Sequence, residues 1–137
     1  MFSIDSPTKI LMTKKKEKYF QLNINQYRNL HWSGLNKSKV IYGDIMFQLM
    51  AKHDYHLLKY DQVEISYQMI ACNNRKFDTM NIVAIVDKYF QDVLTKLGII
   101  KDDNYKIVKK INVLPVIIDK ELPENICRIT VSEITKE

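Results

Sequence analysis

Apolar and polar residues alternate most strictly over residues 63–72, where Val63, Ile65, Tyr67, Met69 and Ala71 fall on one side and Glu64, Ser66 and Gln68 on the other. A period of two in β-branched and aromatic residues predicts a strand with one face on a core. Downstream the period changes. Ile82, Val86, Tyr89, Phe90, Val93 and Leu97 recur at three- and four-residue steps, which predicts an amphipathic helix over residues 79–97. Asp78 stands where an N-cap belongs and Gly98 where the helix should end. A carboxylate there accepts from free first-turn N–H groups and suits the helix dipole, and glycine supplies the left-handed C′ conformation. Lys88, Asp92 and Lys96 follow at four-residue steps on the polar side, the spacing of helical ion pairs.

The remaining pattern is weaker. Val40, Ile41, Ile45, Leu49 and Met50 come close to helical spacing and predict a second helix over residues 37–52. Residues 19–24 alternate and read as a first strand, whereas 25–36, broken by Asn, Arg, His and Gly, read as a loop. Residues 105–118 and 126–134 read as two closing strands, the former interrupted near Pro115, with a turn at 122–125 between them. The order strand, helix, strand, helix and two strands predicts an α+β fold, a small mixed sheet with two main helices. With 137 residues and no repeat or linker, one domain over 1–137 is expected.

Charge adds a direction. A net charge of +5 favours an anionic partner only weakly. Its distribution says more: Lys9, Lys14, Lys15, Lys16 and Lys18 crowd the N-terminal segment, while Lys101, Lys106, Lys109 and Lys110 flank the acidic pair Asp102-Asp103. Solvated strand faces with a fraying tail, and a footprint for phosphates, both account for this. No apolar run is long enough to span a bilayer, and residues 1–18 lack the apolar stretch of a signal peptide, so the cytosol is the expected compartment. Cys72 and Cys127 lie in strand-like apolar runs and read as buried thiols. Three glycines leave no room for a phosphate-binding loop, and neither paired CxxC nor HExxH occurs. His31, His53 and His56 are not spaced with cysteines for zinc, and no nucleophile sits on a sharp turn.

What stands out is the placing of carboxylates at both ends of the helix at 79–97: Asp78 before it, Asp102 and Asp103 just past Gly98. Were the chain to turn back at residues 98–101, they would converge on one divalent cation. Lysines for phosphates and a few acids for Mg²⁺ are the ingredients of a nuclease.

The series Asp78-x-x-Asn81, Lys88, Asp92, Leu94-Thr95-Lys96, Gly98 and Asp102-Asp103 resembles the RusA family of Holliday-junction endonucleases. That family's motif is D-x-D-N, a lysine on the helix, an aspartate four residues on, and a short step through glycine to D-D. Upstream, Leu22-Asn23-x-Asn25-x-Tyr27-Arg28-Asn29-x-His31 is similar to the corresponding segment of a phage branch. The resemblance covers most of the chain, with its specific part over residues 75–108. Two departures are visible: Met80 replaces the second aspartate of D-x-D-N, and Asn81 and Lys88 are four residues further apart, about one helical turn.

The resemblance implies a dimeric α+β protein of the host cytoplasm that cuts four-way DNA junctions with Mg²⁺ or Mn²⁺. It implies Asp78 and Asp103 as metal ligands, Asp102 as an adjacent ligand or orienter, and Lys88 as the catalytic lysine neutralising charge on the phosphate. Asn81 and Asp92 would support these groups, and Asp87 is a candidate for the carboxylate missing at Met80. DNA contacts fall to Lys14, Lys15, Lys16, Arg28, His31, Arg75, Lys76 and Lys101, with Tyr27 and Trp32 available for stacking. Plainer roles stay open: Asp78 as a helix cap alone, Asp102 and Asp103 as turn formers, Lys88–Asp92 as a surface ion pair, and Arg28 and His31 as a hydrogen-bonded loop. A different class of function also stays open, a DNA-binding or protein-interaction module in which Met80 has weakened cleavage.

Overall fold

The strand at Val63–Ala71 (β4) forms where the alternation is strictest, and everything else is arranged around it. In the computed structural model, which describes residues 1–135, it is flanked on both sides. On one side lies Ile126–Glu133 (β7), antiparallel, and beyond it Phe2–Pro7 (β1), also antiparallel. On the other side run Val108–Val113 (β5) and the short Ile117–Ile118 (β6), both parallel to β4. Lys9–Thr13 (β2) and Lys18–Gln21 (β3) form a separate two-stranded hairpin.

Among the described residues three helices complete the fold: Ile24–Asn29 (α1), Trp32–Ala51 (α2) and Thr79–Lys96 (α3), with a 3₁₀ turn at Tyr55–Leu57. The two long helices lie on one face of the sheet. Inward residues Ile65, Tyr67 and Met69 of β4, Ile129 and Val131 of β7, and Phe2 and Ile4 of β1 meet Tyr42, Met46 and Met50 of α2 and Val86, Tyr89, Phe90 and Leu94 of α3. The opposite face is polar, with Arg128 of β7 clasping Asp5 of β1 by two hydrogen bonds of 2.8 and 3.2 Å. The fold is α+β, a mixed sheet with two main helices, as the pattern predicts. Among the described residues no helix is long and apolar enough to cross a membrane.

Tyrosine hydroxyls inside the core are each given a partner, as burial demands. Ser6 lies 2.7 Å from the Tyr42 hydroxyl, Ser38 lies 2.7 Å from that of Tyr89, and Tyr67 donates to the carboxylate of Asp87. Burial holds all three phenols above their usual range, and for Tyr67 the Asp87 charge adds to it.

Four expectations are corrected. The N-terminus is not a fraying tail, because Phe2, Ile4 and Ser6 point inward and zip β1 onto β7. The strand expected at 19–24 ends at Gln21, because Asn23 caps α1 by accepting from the Gln26 N–H at 2.8 Å. The loop expected at 25–36 contains α1 and the first turn of α2, and His31 is the N-cap of α2, its ring nitrogen accepting from Ser33 N–H at 3.3 Å. Cys127 is buried, its thiol pushed up to about 12, but Cys72 at the end of β4 is only half-buried.

Candidate functional site

The helix α3 carries the candidate site, and its two ends are built differently. At its start Asp78 is the N-cap, its carboxylate accepting from the Asn81 N–H at 3.4 Å. The Asn81 side chain turns elsewhere: its oxygen accepts from the Ile24 N–H at 3.0 Å and pins the first turn of α1 onto α3. Asp78 itself is exposed, and so is Met80, at 55%.

The connection from β4 into α3 is basic. Arg75 and Lys76 are exposed in a turn closed by Asn73, whose side chain accepts from the Arg75 N–H at 2.9 Å. They line a cleft of about 310 Å³ together with Phe77, Thr79, Val116 and Ile118, so β6 forms its far wall.

At the other end Gly98 closes the helix with φ +72°, a conformation that glycine adopts without steric cost. A side chain there would also come within 3.3 Å of the Lys59 ammonium, which donates to the Gly98 carbonyl. Lys101, Asp102 and Asp103 follow on an exposed turn. Asp102 accepts from the Asp103 N–H at 2.7 Å and from the Asn104 amide at 3.1 Å. These bonds, the backbone one first, hold its carboxyl below the usual range.

The chain does turn back after Gly98, into β5, but this does not bring the carboxylates together. Eighteen residues of α3 at 1.5 Å each separate Asp78 from the Gly98 turn by about 27 Å. Asp78 stands beyond the C-terminal end of β4, whereas Asp102 and Asp103 precede β5, whose first residue Val108 pairs with Val63 at the start of β4. Among the described residues no three His, Cys, Asp or Glu side chains are grouped to hold a metal ion. The convergence expected from the sequence is corrected accordingly: within one chain these residues do not fit Mg²⁺.

The helix between is occupied as follows. Lys88 is exposed, its ammonium 5.9 Å from the centre of the Tyr27 ring on α1. Asp92 makes no ion pair with it: among the described residues the ion pairs are Lys9–Glu124 and Arg128–Asp5. Asp87 faces β4, accepting from Tyr67 and from Gln91 at 2.8 Å. It is therefore committed to the core side of α3 rather than to Asp78.

The remaining candidates for DNA contact are spread over the surface. Lys14, Lys15 and Lys16 form the exposed tip of the β2–β3 hairpin, where Glu17 takes φ +46°. Arg28 is exposed on α1, and His31 packs its ring beside that of Trp32, centroids 5.5 Å apart. Lys101 stands with the acidic turn. No family model and no curated protein matches the chain.

Proposed function

We propose that this chain is an endonuclease acting on branched DNA, four-way junctions above all, as a homodimer dependent on Mg²⁺ or Mn²⁺ in the cytoplasm of the cell that makes it. The observation carrying this reading is the order Asp78-x-x-Asn81, Lys88, Asp92, Gly98, Asp102-Asp103 along one β4–α3–β5 unit, which resembles the RusA family. The exposed basic side chains support it. Lys14, Lys15 and Lys16 project from a hairpin tip, Arg75 and Lys76 from the turn before α3, and Lys88 from the helix itself. None is tied up in an ion pair among the described residues, so all are available to phosphates. Lys88, exposed on α3 with its ammonium 5.9 Å from the Tyr27 ring centre, supports the reading as a further cation for phosphate.

A second reading, a junction-binding or protein-interaction module without cleavage, is favoured by two observations. Met80 stands where the family has an aspartate, and the carboxylates of one chain lie at opposite ends of α3. A labelled four-way junction, incubated with the protein and Mg²⁺ or Mn²⁺ beside a linear duplex, separates the two. Paired incisions near the branch point, abolished by chelation, are expected. Junction binding without incision under either metal leaves the module.

A further inference from the structure

The β2–β3 hairpin and α1 border a cleft of about 520 Å³ beside the basic tip. Its apolar walls are Met12 and Phe20 of the hairpin and Leu30 at the end of α1. The pairing of β2 with β3 shifts register between Leu11 and Thr13, so the neighbours Met12 and Thr13 both border the cleft.

Its few polar groups have bonding capacity left over. The Thr13 hydroxyl is withdrawn from solvent and has no hydrogen-bond partner among the described residues. Such a group is rare, and marks a place where something else supplies the partner. Gln26 accepts from the Gln21 N–H at 2.7 Å through Oε1, which leaves its Nε2 free, and Asn29 is exposed. Both border the cleft. A space of this size, mainly apolar with a few polar groups converging on it, is the usual build of a small-ligand site.

The rim is cationic. Lys18 borders the cleft, and Lys14, Lys15 and Lys16 follow Thr13 onto the tip, with Glu17 the one carboxylate among them. Tyr19 borders it as well, half-exposed, with the Lys9 ammonium 4.7 Å from its ring centre. A purely apolar ligand would leave the amides and lysines unmatched, and a phosphate alone would leave the apolar walls bare. A nucleotide matches all three: a flat ring for the walls, a polar edge for the amides and phosphate for the lysines. We propose that this cleft holds one unstacked nucleobase, with its phosphates on the hairpin lysines. The inference rests on the nucleic-acid reading above for its class of ligand, and adds a place where a single base is held. A base in an unpaired strand and a free nucleotide share this chemistry.

Fluorescence anisotropy of the full chain with a short thymidine strand, beside an abasic strand of equal length, separates base from phosphate. The wild type should bind the thymidine strand about tenfold tighter or more. Thr13→Val removes the hydroxyl, and Asn29→Trp fills the mouth from an exposed position. Each should narrow that gap and leave the abasic strand unchanged. Thr13→Val should not lower folding stability, since no hydrogen bond is lost, whereas a merely structural threonine would. Lys14→Glu with Lys15→Glu should weaken both strands alike. Thymidine monophosphate that displaces the strand from wild type but not from Asn29→Trp assigns the cleft to a free nucleotide. A strand preference that persists under excess monophosphate assigns it to a base held in a strand. Equal binding of the two strands by wild type, a preference untouched by both cleft variants, or lysine reversal without effect would each overturn the inference. A wild type that cuts junctions yet binds both strands alike would overturn it and leave the nuclease standing. A base preference in a chain that never cuts would do the reverse.

Discussion

The two flanks of β4 are neighbours in one sheet and are treated in opposite ways. Toward β7 and β1 the inward face is roofed by α2 and α3, and the tyrosines Tyr42 and Tyr89 find serine partners inside. Toward β5 and β6 the roof is missing, and Ile111 and Val113 meet solvent. One flank has its apolar side chains satisfied within the chain and the other does not. The difference teaches that stability of the fold resides on the closed flank, while the open flank, rimmed by Arg75, Lys76 and the turn at Asp102-Asp103, contributes less burial.

Substitutions should divide along that line. On the closed flank Phe90 is fully buried, so Phe90→Ala should cost about 3–5 kcal/mol of folding stability, read from chemical denaturation. An equal loss from Val113→Ala, at 39% exposure, would erase the distinction.

Alkaline pH should attack the same closed flank. Burial raises the phenols of Tyr42, Tyr67 and Tyr89 and pushes the Cys127 thiol from 9.0 up to about 12. Groups whose folded-state values are raised give stability that is complete below the unfolded values and is lost as pH rises through the folded ones. Stability should therefore hold through neutral pH and fall from about pH 9 upward. Tyrosinate absorbance from the three buried rings should appear with unfolding rather than ahead of it. Their ionisation in a still-folded protein would contradict the assignment.

Asn81 belongs to neither flank but anchors α1. Losing its hydrogen bond to the Ile24 N–H leaves that donor part-buried and unpartnered, so Asn81→Ala should cost about 1–2 kcal/mol. Hydrogen exchange should show the loss concentrated in residues 24–29, and uniform exchange across the chain would argue against a local anchor.

The smallest effect on stability is expected at Asp78, and it is the most useful for function. Asn caps a helix about as well as Asp, so Asp78→Asn should change stability by only a few tenths of a kcal/mol, whereas Asp78→Ala should cost about 1 kcal/mol. Cleavage lost equally in both would assign the carboxylate a role beyond capping. Cleavage lost only in the alanine variant would reduce Asp78 to a cap.

How far the sequence carries can be seen from particular elements. The strand β4 and the helix α3 follow their periodicities almost to the residue, including Asp78 at the cap and Gly98 at the end. β1 is hidden because its third inward position is Ser6, a residue whose burial makes sense only beside Tyr42, 36 residues away. α1 is hidden because its six residues are too few for a helical period to register, although Asn23 and Gln26 mark its start. The site is legible as an order of residues but not as a place. The span of α3 holds Asp78 and the turn after Gly98 apart, a distance that a list of residues in order does not report.

Incision of a labelled four-way junction tests the central proposal, a nuclease dependent on Mg²⁺ or Mn²⁺, most directly. The wild type is expected to cut near the branch point with either metal and to stop when the metal is chelated, while Asp78→Asn and Asp103→Asn bind the junction without cutting it. A wild type that binds the junction under both metals and never cuts it would contradict the nuclease and leave the binding module.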